Sequence, residues 1–478
     1  MVGARGRVPL PFVPRGTRDE LHPRPVNSSA GGAPSVIVVH SPMQRFRTDA
    51  LDLFYTAIDA VRPDRLIAER LHLDGDILHL PDHRIDLSPY RRLIVLGFGK
   101  AAARMAAALE TLLGERISGG LVITSYGNET SCDRVAVREA AHPVPDDAGL
   151  AATEELLALA RDAGADDLVI CLVSGGGSAL LEAPVAGVSP GDLQETARVL
   201  LGCGAAIAEI NTIRKHLSRV KGGRLAEAIA PAAGLSLILS DVIGDPVDAI
   251  ASGPTAPDPT TFADCAAIVE RYGIGERLPE AVRAHLAAGA RGDIPDTPAD
   301  EAGVAGRVTN VILGGNTLAL SAMKAEAEAR GYGVKILTDR LSGEARDQGE
   351  RLATALLEDR SRRPTCWLFG GETTVTVRGH GTGGRNQEFV LAALLALEWS
   401  GIRWVVLSGG TDGVDGPTDA AGAIATPETW DVARRSGLDP RRYLERNDSH
   451  SFFEAVDGLV RTGPTGTNVM DVGVLMRE

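Results

Sequence analysis

Aromatic side chains make up only 4% of this 478-residue chain, and lysine is almost missing, with five against 44 arginines. The core must therefore pack with small and aliphatic residues, and any lysine in a prominent position stands out. Cysteine is equally sparse. Cys132, Cys171, Cys203, Cys265 and Cys366 are widely spaced, which excludes a disulfide framework or a zinc-ligand pattern and fits a reducing cytoplasm. No apolar run reaches the ~18 residues that span a bilayer, and the first forty residues lack a signal-peptide core, so a soluble protein is expected. Excess positive charge is absent too. A net charge of −14 argues against nucleic acid or a membrane surface as partner. Nowhere does G-x-x-x-x-G-K-[ST] occur, so a nucleoside triphosphate would have to be held without the common P-loop.

What is present is a rhythm. Residues 1–42 are rich in arginine and proline with little periodicity and read as a disordered extension, with Met43 an alternative start. A helix is expected over Thr48–Val61, with Thr48 as its N-cap. Apolar strands then alternate with helices: Ile94–Phe98, a helix to Leu113 closed by Gly114, Gly120–Thr124, a helix over Leu150–Ala160, Leu168–Val173, a helix after Ser189-Pro190, and Leu235–Ser240. Strands apolar on both faces imply a parallel sheet covered by helices. Periodicity fails between Leu286 and Arg307, where a domain boundary is placed, giving segments 43–290 and 308–478. The alternation resumes with Val308–Leu313, a helix over Leu318–Arg330, Val334–Thr338, a helix through Leu352–Leu357, Cys366–Phe369, Thr373–Val377, a helix over Asn386–Glu398 and Trp404–Ser408. The fold class is α/β, in two domains.

The candidate chemistry lies where strands end. In Ile94–Ala103, IVLGFGKAAA, a buried strand turns sharply into a helix. Gly97 and Gly99 would let a phosphate approach the helix N-terminus, with Lys100 adding charge. The same stretch loosely fits a dinucleotide fingerprint, but the following strand ends Thr124-Ser125-Tyr126 without the acidic residue that would hold a ribose. Ser174-Gly175-Gly176-Gly177-Ser178 lacks the glycine spacing of a serine-nucleophile elbow and reads as an anion cradle. In Ile210–Arg224, INTIRKHLSRVKGGR, Asn211, Arg214, Lys215, His216 and Lys221 gather polar and basic groups suited to an acidic ligand. Asp241 and Asp245, after a buried strand, suit Mg2+. Gly379–Glu388 delivers Arg385 and Asn386 to a helix start, where arginine can clamp a carboxylate or a transferring phosphoryl group. Glu372 closes FGGE, Thr467 and Asn468 lie in TGPTGTNVMD, and TDGVDGPTD at Thr411–Asp419 lacks the spacing of a calcium loop.

Taken in series, GFGKA, SGGGSALLE, NTIRKHLSRVKGG, SDVIGDPVDAIASGPT, GGETTV, GGRNQE, DGVDGPTDAAGA and PTGTNV closely resemble the class II glycerate 2-kinases of the MOFRL family, in the family's order from about Met43 onward. The resemblance implies a Rossmann-like N-terminal domain, a smaller C-terminal α/β domain and an active site in the cleft between them. It also implies transfer of phosphate from ATP, with Mg2+, to the 2-hydroxyl of D-glycerate, giving 2-phosphoglycerate and ADP, in a monomer or homodimer. The family's important lysine falls on Lys100 and its important arginine on Arg385. Relatives labelled hydroxypyruvate reductases make an NAD(P)H-dependent reductase the rival activity.

Overall fold

Strand β1, Arg92–Phe98, is buried along almost its whole length and sends alternate side chains to opposite faces. Leu93 and Val95 enter one core, while Ile94, Leu96 and Phe98 enter another. The computed structural model describes residues 42–299, 303, 305–361 and 363–478, so the reading of residues 1–42 as an extension lies almost wholly outside them. In chain order the first sheet continues with β2 (Ile117–Ser125), β3 (Val135–Ala140), β4 (Asp167–Val173), β5 (Ala233–Leu239) and β6 (Val308–Gly314). All are parallel, in the order β3-β2-β1-β4-β5-β6. Strand order reverses between β1 and β4, and the crevice at their carboxyl ends is where open α/β sheets bind ligands.

The second sheet holds β7 (Gly333–Leu341), β8 (Thr365–Gly371), β9 (Trp404–Gly410), β10 (Gly422–Ala425), β11 (Leu459–Val460) and β12 (Asp471–Arg477), ordered β7-β8-β12-β9-β10-β11. Only β7 and β8 run parallel; β12 lies antiparallel between β8 and β9. One face of this sheet (Cys366, Leu368, Val405, Leu407, Val472, Val474) buries into the same core as Leu93 and Val95 of β1. A separate helical core, containing Ile210, Ile213, Phe262 and Val282, is appended to the first sheet.

Helix ends follow local chemistry. Helix α1 spans Pro42–Ala60, α2 Ala102–Leu113, α3 Asp147–Asp162, α4 Ile207–His216, α5 Asn316–Ala329, α6 Ala345–Glu358 and α7 Arg385–Ala396. Gly114 ends α2 at φ 54°, a conformation glycine adopts without strain.

Several expectations are corrected. Thr48 is no N-cap: it lies inside α1, its hydroxyl donating to the Gln44 carbonyl four residues back at 2.9 Å. No strand forms over Thr373–Val377. Thr374 makes one isolated parallel bridge to Glu344, its N–H donating to the Gly343 carbonyl and its carbonyl accepting from Ala345 N–H, each at 2.8 Å, while the Glu344 carboxylate accepts from Thr376 N–H. The sheets do not divide at 286–307, because β6 pairs with β5 and the chain crosses to the second sheet along α5. Helix α1 packs on α5 and the second sheet: Tyr332 donates to Asp49 at 2.5 Å, and Arg330 pairs with Asp49 and Asp52.

Candidate active site

The loop after β1 and the loop after β4 brace one another. Lys100 N–H donates to the Gly175 carbonyl at 2.9 Å, and Ala101 N–H to the Ser174 hydroxyl at 3.0 Å. A Cβ at Gly99 would collide with Ser174, and one at Gly97 would stand 2.7 Å from Val122 Cγ1. Gly97, Gly99 and the buried Ser174 therefore serve the fit between neighbouring strands. Ahead of α2 the Lys100 and Ala101 N–H groups are thus spent on the facing loop, and Ala102 N–H bonds the Gly99 carbonyl at 3.1 Å, which leaves fewer donors for an anion than the sequence implied.

The rest of Ser174–Ser178 faces outward from the strand ends. A Cβ at Gly175 would overlap Asn468 and Asp241. One at Gly176, which sits at φ 78°, would stand 3.4 Å from Lys100 Cγ. Gly177 starts the short turn to Leu180, and the Ser178 hydroxyl bonds that of Ser252 at 2.8 Å. Ser252 belongs to a left-handed run, Ala251 (φ 50°), Ser252 (φ 64°) and Gly253 (φ 62°). Its hydroxyl also reaches Asn211 Oδ1 at 3.5 Å, and Arg214 donates to the Ser178 carbonyl at 3.2 Å. Non-glycine residues held this way cost about 1 kcal/mol each and mark positions where the backbone is constrained for a purpose.

Across the crevice stand the ends of β8, β9 and β12. The Lys100 ammonium donates to Asp412, just after β9, at 2.8 Å. Arg385, the first residue of α7, grips Asp471 through two nitrogens at 2.6 and 2.9 Å and pairs with Glu372 at 2.8 Å. Burial alone would lower the guanidinium pKa, but Asp471 and Glu372 hold it above its ordinary value. Burial, followed by Asp471 and Asp412, raises the Glu372 carboxyl against the pull of Arg385 and Lys100. Burial first, then the Glu372 charge, pushes Asp241 up to about 6, against a hydrogen bond from the Gly176 backbone. Four carboxylates thus share the crevice with two cations, and both cations are already paired. Such surplus negative charge fits a hard cation.

Among the described residues, no group of three or more His, Cys, Asp or Glu side chains forms a metal cage. A Mg2+ ion that arrives with phosphate oxygens and water needs only one or two carboxylates, and Asp241 beside Glu372 meets that need. Asp245 lies elsewhere on the same turn, at φ 55°, its carboxylate against Gly315 at the end of β6.

Lys215, His216 and Lys221 of the basic run have turned inward, which corrects the expectation of an acidic ligand at these three, while the Arg214 and Arg219 side chains stay 30% and 35% exposed. Lys215 pairs with buried Asp258 at 3.2 Å, and Lys221, fully buried, pairs with Glu182 at 2.9 Å and donates to the Leu181 carbonyl at 2.8 Å. His216 is fully buried, with Nδ1 2.9 Å from the Thr212 carbonyl. These groups offer a ligand no exposed surface. Asn386 and Thr467 are corrected likewise. Asn386 is held by Asp415 and Ser408, and the Thr467 hydroxyl donates to the Val61 carbonyl at 2.6 Å. Asp415 accepts from Asn386 and Gln387 N–H at 3.0 and 2.9 Å, satisfying the start of α7 and so aiming Arg385.

Sequence reasoning missed Asp412, Asp471 and His142. Asp412 had a signal, since it follows a strand inside SGGTDG. Asp471 had none, because nothing marks β12 as the central strand beside which it falls.

Two family models match the chain, a domain of unknown function (DUF4147) over residues 49–287 and the MOFRL family over residues 365–471. A glycerate 2-kinase of Pyrococcus horikoshii is 40% identical over 432 residues, covering 89% of this chain and 96% of that protein. A protein of Agrobacterium vitis named for a hydroxypyruvate reductase is 43% identical over 81% of this chain and 88% of its own length. The crystal structure of glycerate kinase from Thermotoga maritima superposes with a TM-score of 0.78 at 38% identity, covering 91% of this chain and all of that one. Identity at this level over nearly the full length, in sequence and fold together, leaves one placement: the chain belongs to the MOFRL glycerate kinase family.

Proposed function

We propose that the protein phosphorylates the 2-hydroxyl of D-glycerate with ATP and Mg2+, in the crevice between the carboxyl ends of the first sheet and the β8, β9 and β12 ends of the second. The observation that carries this is the pair Lys100–Asp412 facing Arg385 and its carboxylates, one cation from each sheet at the strand-order reversal. Phosphoryl transfer has a loose transition state, so the protein's task is to align the reactants and neutralise charge.

The residues divide that task. Asp241, with Glu372, would hold the Mg2+, which when bound offsets charge on the phosphate oxygens. Lys100 exchanges Asp412 for a phosphoryl oxygen, and Arg385, its planar guanidinium held in place by Asp471, stabilises the transferring group or grips the glycerate carboxylate. The missing side chains of Gly175 and Gly176 let Asp241, Asn468, His142 and Lys100 close in around the loop where the acceptor and phosphate would meet. A shared core beneath both sheets keeps the two sets of strand ends in register.

Release of ADP that depends on both D-glycerate and Mg2+, with 2-phosphoglycerate identified by phosphorus NMR, tests the proposal. NADH oxidation with hydroxypyruvate, and no ADP release, would overturn it. The reductase reading has the Agrobacterium name in its favour. Against it, β2 ends without an acidic residue, and the Thr124 hydroxyl is turned to the Lys100 carbonyl at 3.2 Å.

A further inference from the structure

We infer that His142 is a catalytic residue of this site, the base that takes the proton of the acceptor hydroxyl as phosphate is transferred; the inference rests on the kinase reading above. His142 follows β3 by two residues, and its ring lies over the glycine loop after β4. A Cβ built on Gly176 would stand 3.0 Å from both Nε2 and Cδ2 of His142 and 3.4 Å from Cγ of Lys100. Imidazole and lysine stem therefore flank the same glycine, with the ring open to solvent on its outer side. Neither ring nitrogen has a hydrogen-bond partner among the described residues, so both are available to a ligand.

The charged groups that act on His142 come from both sheets, Lys100 from the loop after β1 and Asp412 from the loop after β9. Burial first, and then the Lys100 charge, pushes its pKa down to about 4, with Asp412 opposing. The imidazole is accordingly neutral at physiological pH and holds a lone pair ready.

Among the other candidate bases, Asp471 is held by Arg385, and Asp241 with Glu372 is assigned to the metal. Asp412, freed when Lys100 turns to the phosphate, is a carboxylate whose charge favours the protonated imidazole and so supports His142 as it takes the proton. In the step, the acceptor oxygen bonds to the terminal phosphorus of ATP while the bond from that phosphorus to the departing ADP oxygen breaks. The hydroxyl proton passes to a ring nitrogen of His142. The resulting imidazolium, beside Lys100, gives its proton to solvent as products leave, which restores the base.

The test is His142→Gln, which keeps a polar side chain of similar reach but removes the base. In the variant, kcat should fall about 10²-fold or more, while the KM for D-glycerate and the affinity for ADP by calorimetry stay within about threefold of wild type. The pH profile separates a base from a group that merely positions. Wild-type kcat should be flat from about pH 6.5 to 9, whereas the variant should gain about tenfold per pH unit as hydroxide takes over the proton. A variant within about threefold of wild-type kcat, or one whose profile runs parallel to wild type at a lower level, overturns the assignment. If wild type itself makes no 2-phosphoglycerate, the kinase reading has failed instead.

Discussion

Three of the five lysines divide into two environments that the sequence alone does not tell apart. Lys100 stands partly open in the crevice, its ammonium on Asp412 of the opposite sheet. Lys215 and Lys221 are as charged and sit in a denser basic run, yet they lie in the interior against Asp258 and Glu182. The difference teaches that basic density along a chain does not locate a ligand. A cation serves a ligand when its partner can be exchanged for one, and exchange requires access. A buried ion pair is instead a fixed brace, costly to break because the surviving charge is left unpaired.

The largest effect expected is at the brace. Lys221→Met strands the Glu182 carboxylate and should cost about 3–5 kcal/mol in urea unfolding, while the KM of the folded fraction is unchanged. Burial pushes the Lys221 pKa down to about 8 from 10.5. Between those values the unfolded chain keeps the proton that the folded one has lost, so this group's contribution to stability should rise with pH from 8 to 10.5. The variant should lack that rise. A Lys221→Met protein that folds normally but no longer binds substrate would erase the distinction between the two environments.

Lys100→Ala comes next, with kcat/KM lowered roughly 10²-fold and the unfolding midpoint nearly unmoved. Arg385→Lys should be comparably severe, because an ammonium cannot reproduce the two-nitrogen grip on Asp471. Loss of stability in place of turnover would move either residue into the bracing class.

Asp241→Asn sharpens the comparison from the acidic side. With its pKa pushed up to about 6 from 3.8, the folded protein holds this proton longer than the unfolded chain, so stability falls as pH rises from about 4 to 6. The neutral variant should therefore gain about 1 kcal/mol in thermal unfolding at pH 7 without Mg2+. It should lose the further rise that Mg2+ gives wild type. Least affected is Thr48→Ala, which removes no cap and should change stability by less than about 0.5 kcal/mol.

Much of the architecture was legible because it rests on local pattern. Apolar runs such as Leu168–Val173 gave the parallel strands, and Gly114 marked a helix end. Strand-end loops pointed to the crevice before any geometry was known. What escaped depends on partners distant in sequence. Thr373–Val377 has strand composition but forms a single bridge, at Thr374, in place of a ladder. Likewise, nothing in INTIRKHLSRVKGGR announces that Asp258 and Glu182 will draw its lysines inward. Gly97 and Gly99 illustrate a third limit, since a glycine that serves neighbouring strands looks, in one dimension, like one that serves a phosphate.

The placement of α1 and β12 has a consequence for the order of assembly. As the polypeptide leaves the ribosome, α1 emerges early with its apolar face bare, because the surface that covers it involves α5, β9 and β12. The strand that joins β8 to β9 is the last strand of the second sheet in chain order. The first sheet can form while translation continues, but the crevice has no second wall until the closing residues arrive. Nascent chains halted before residue 471 should therefore carry an exposed helix and be targets for chaperones.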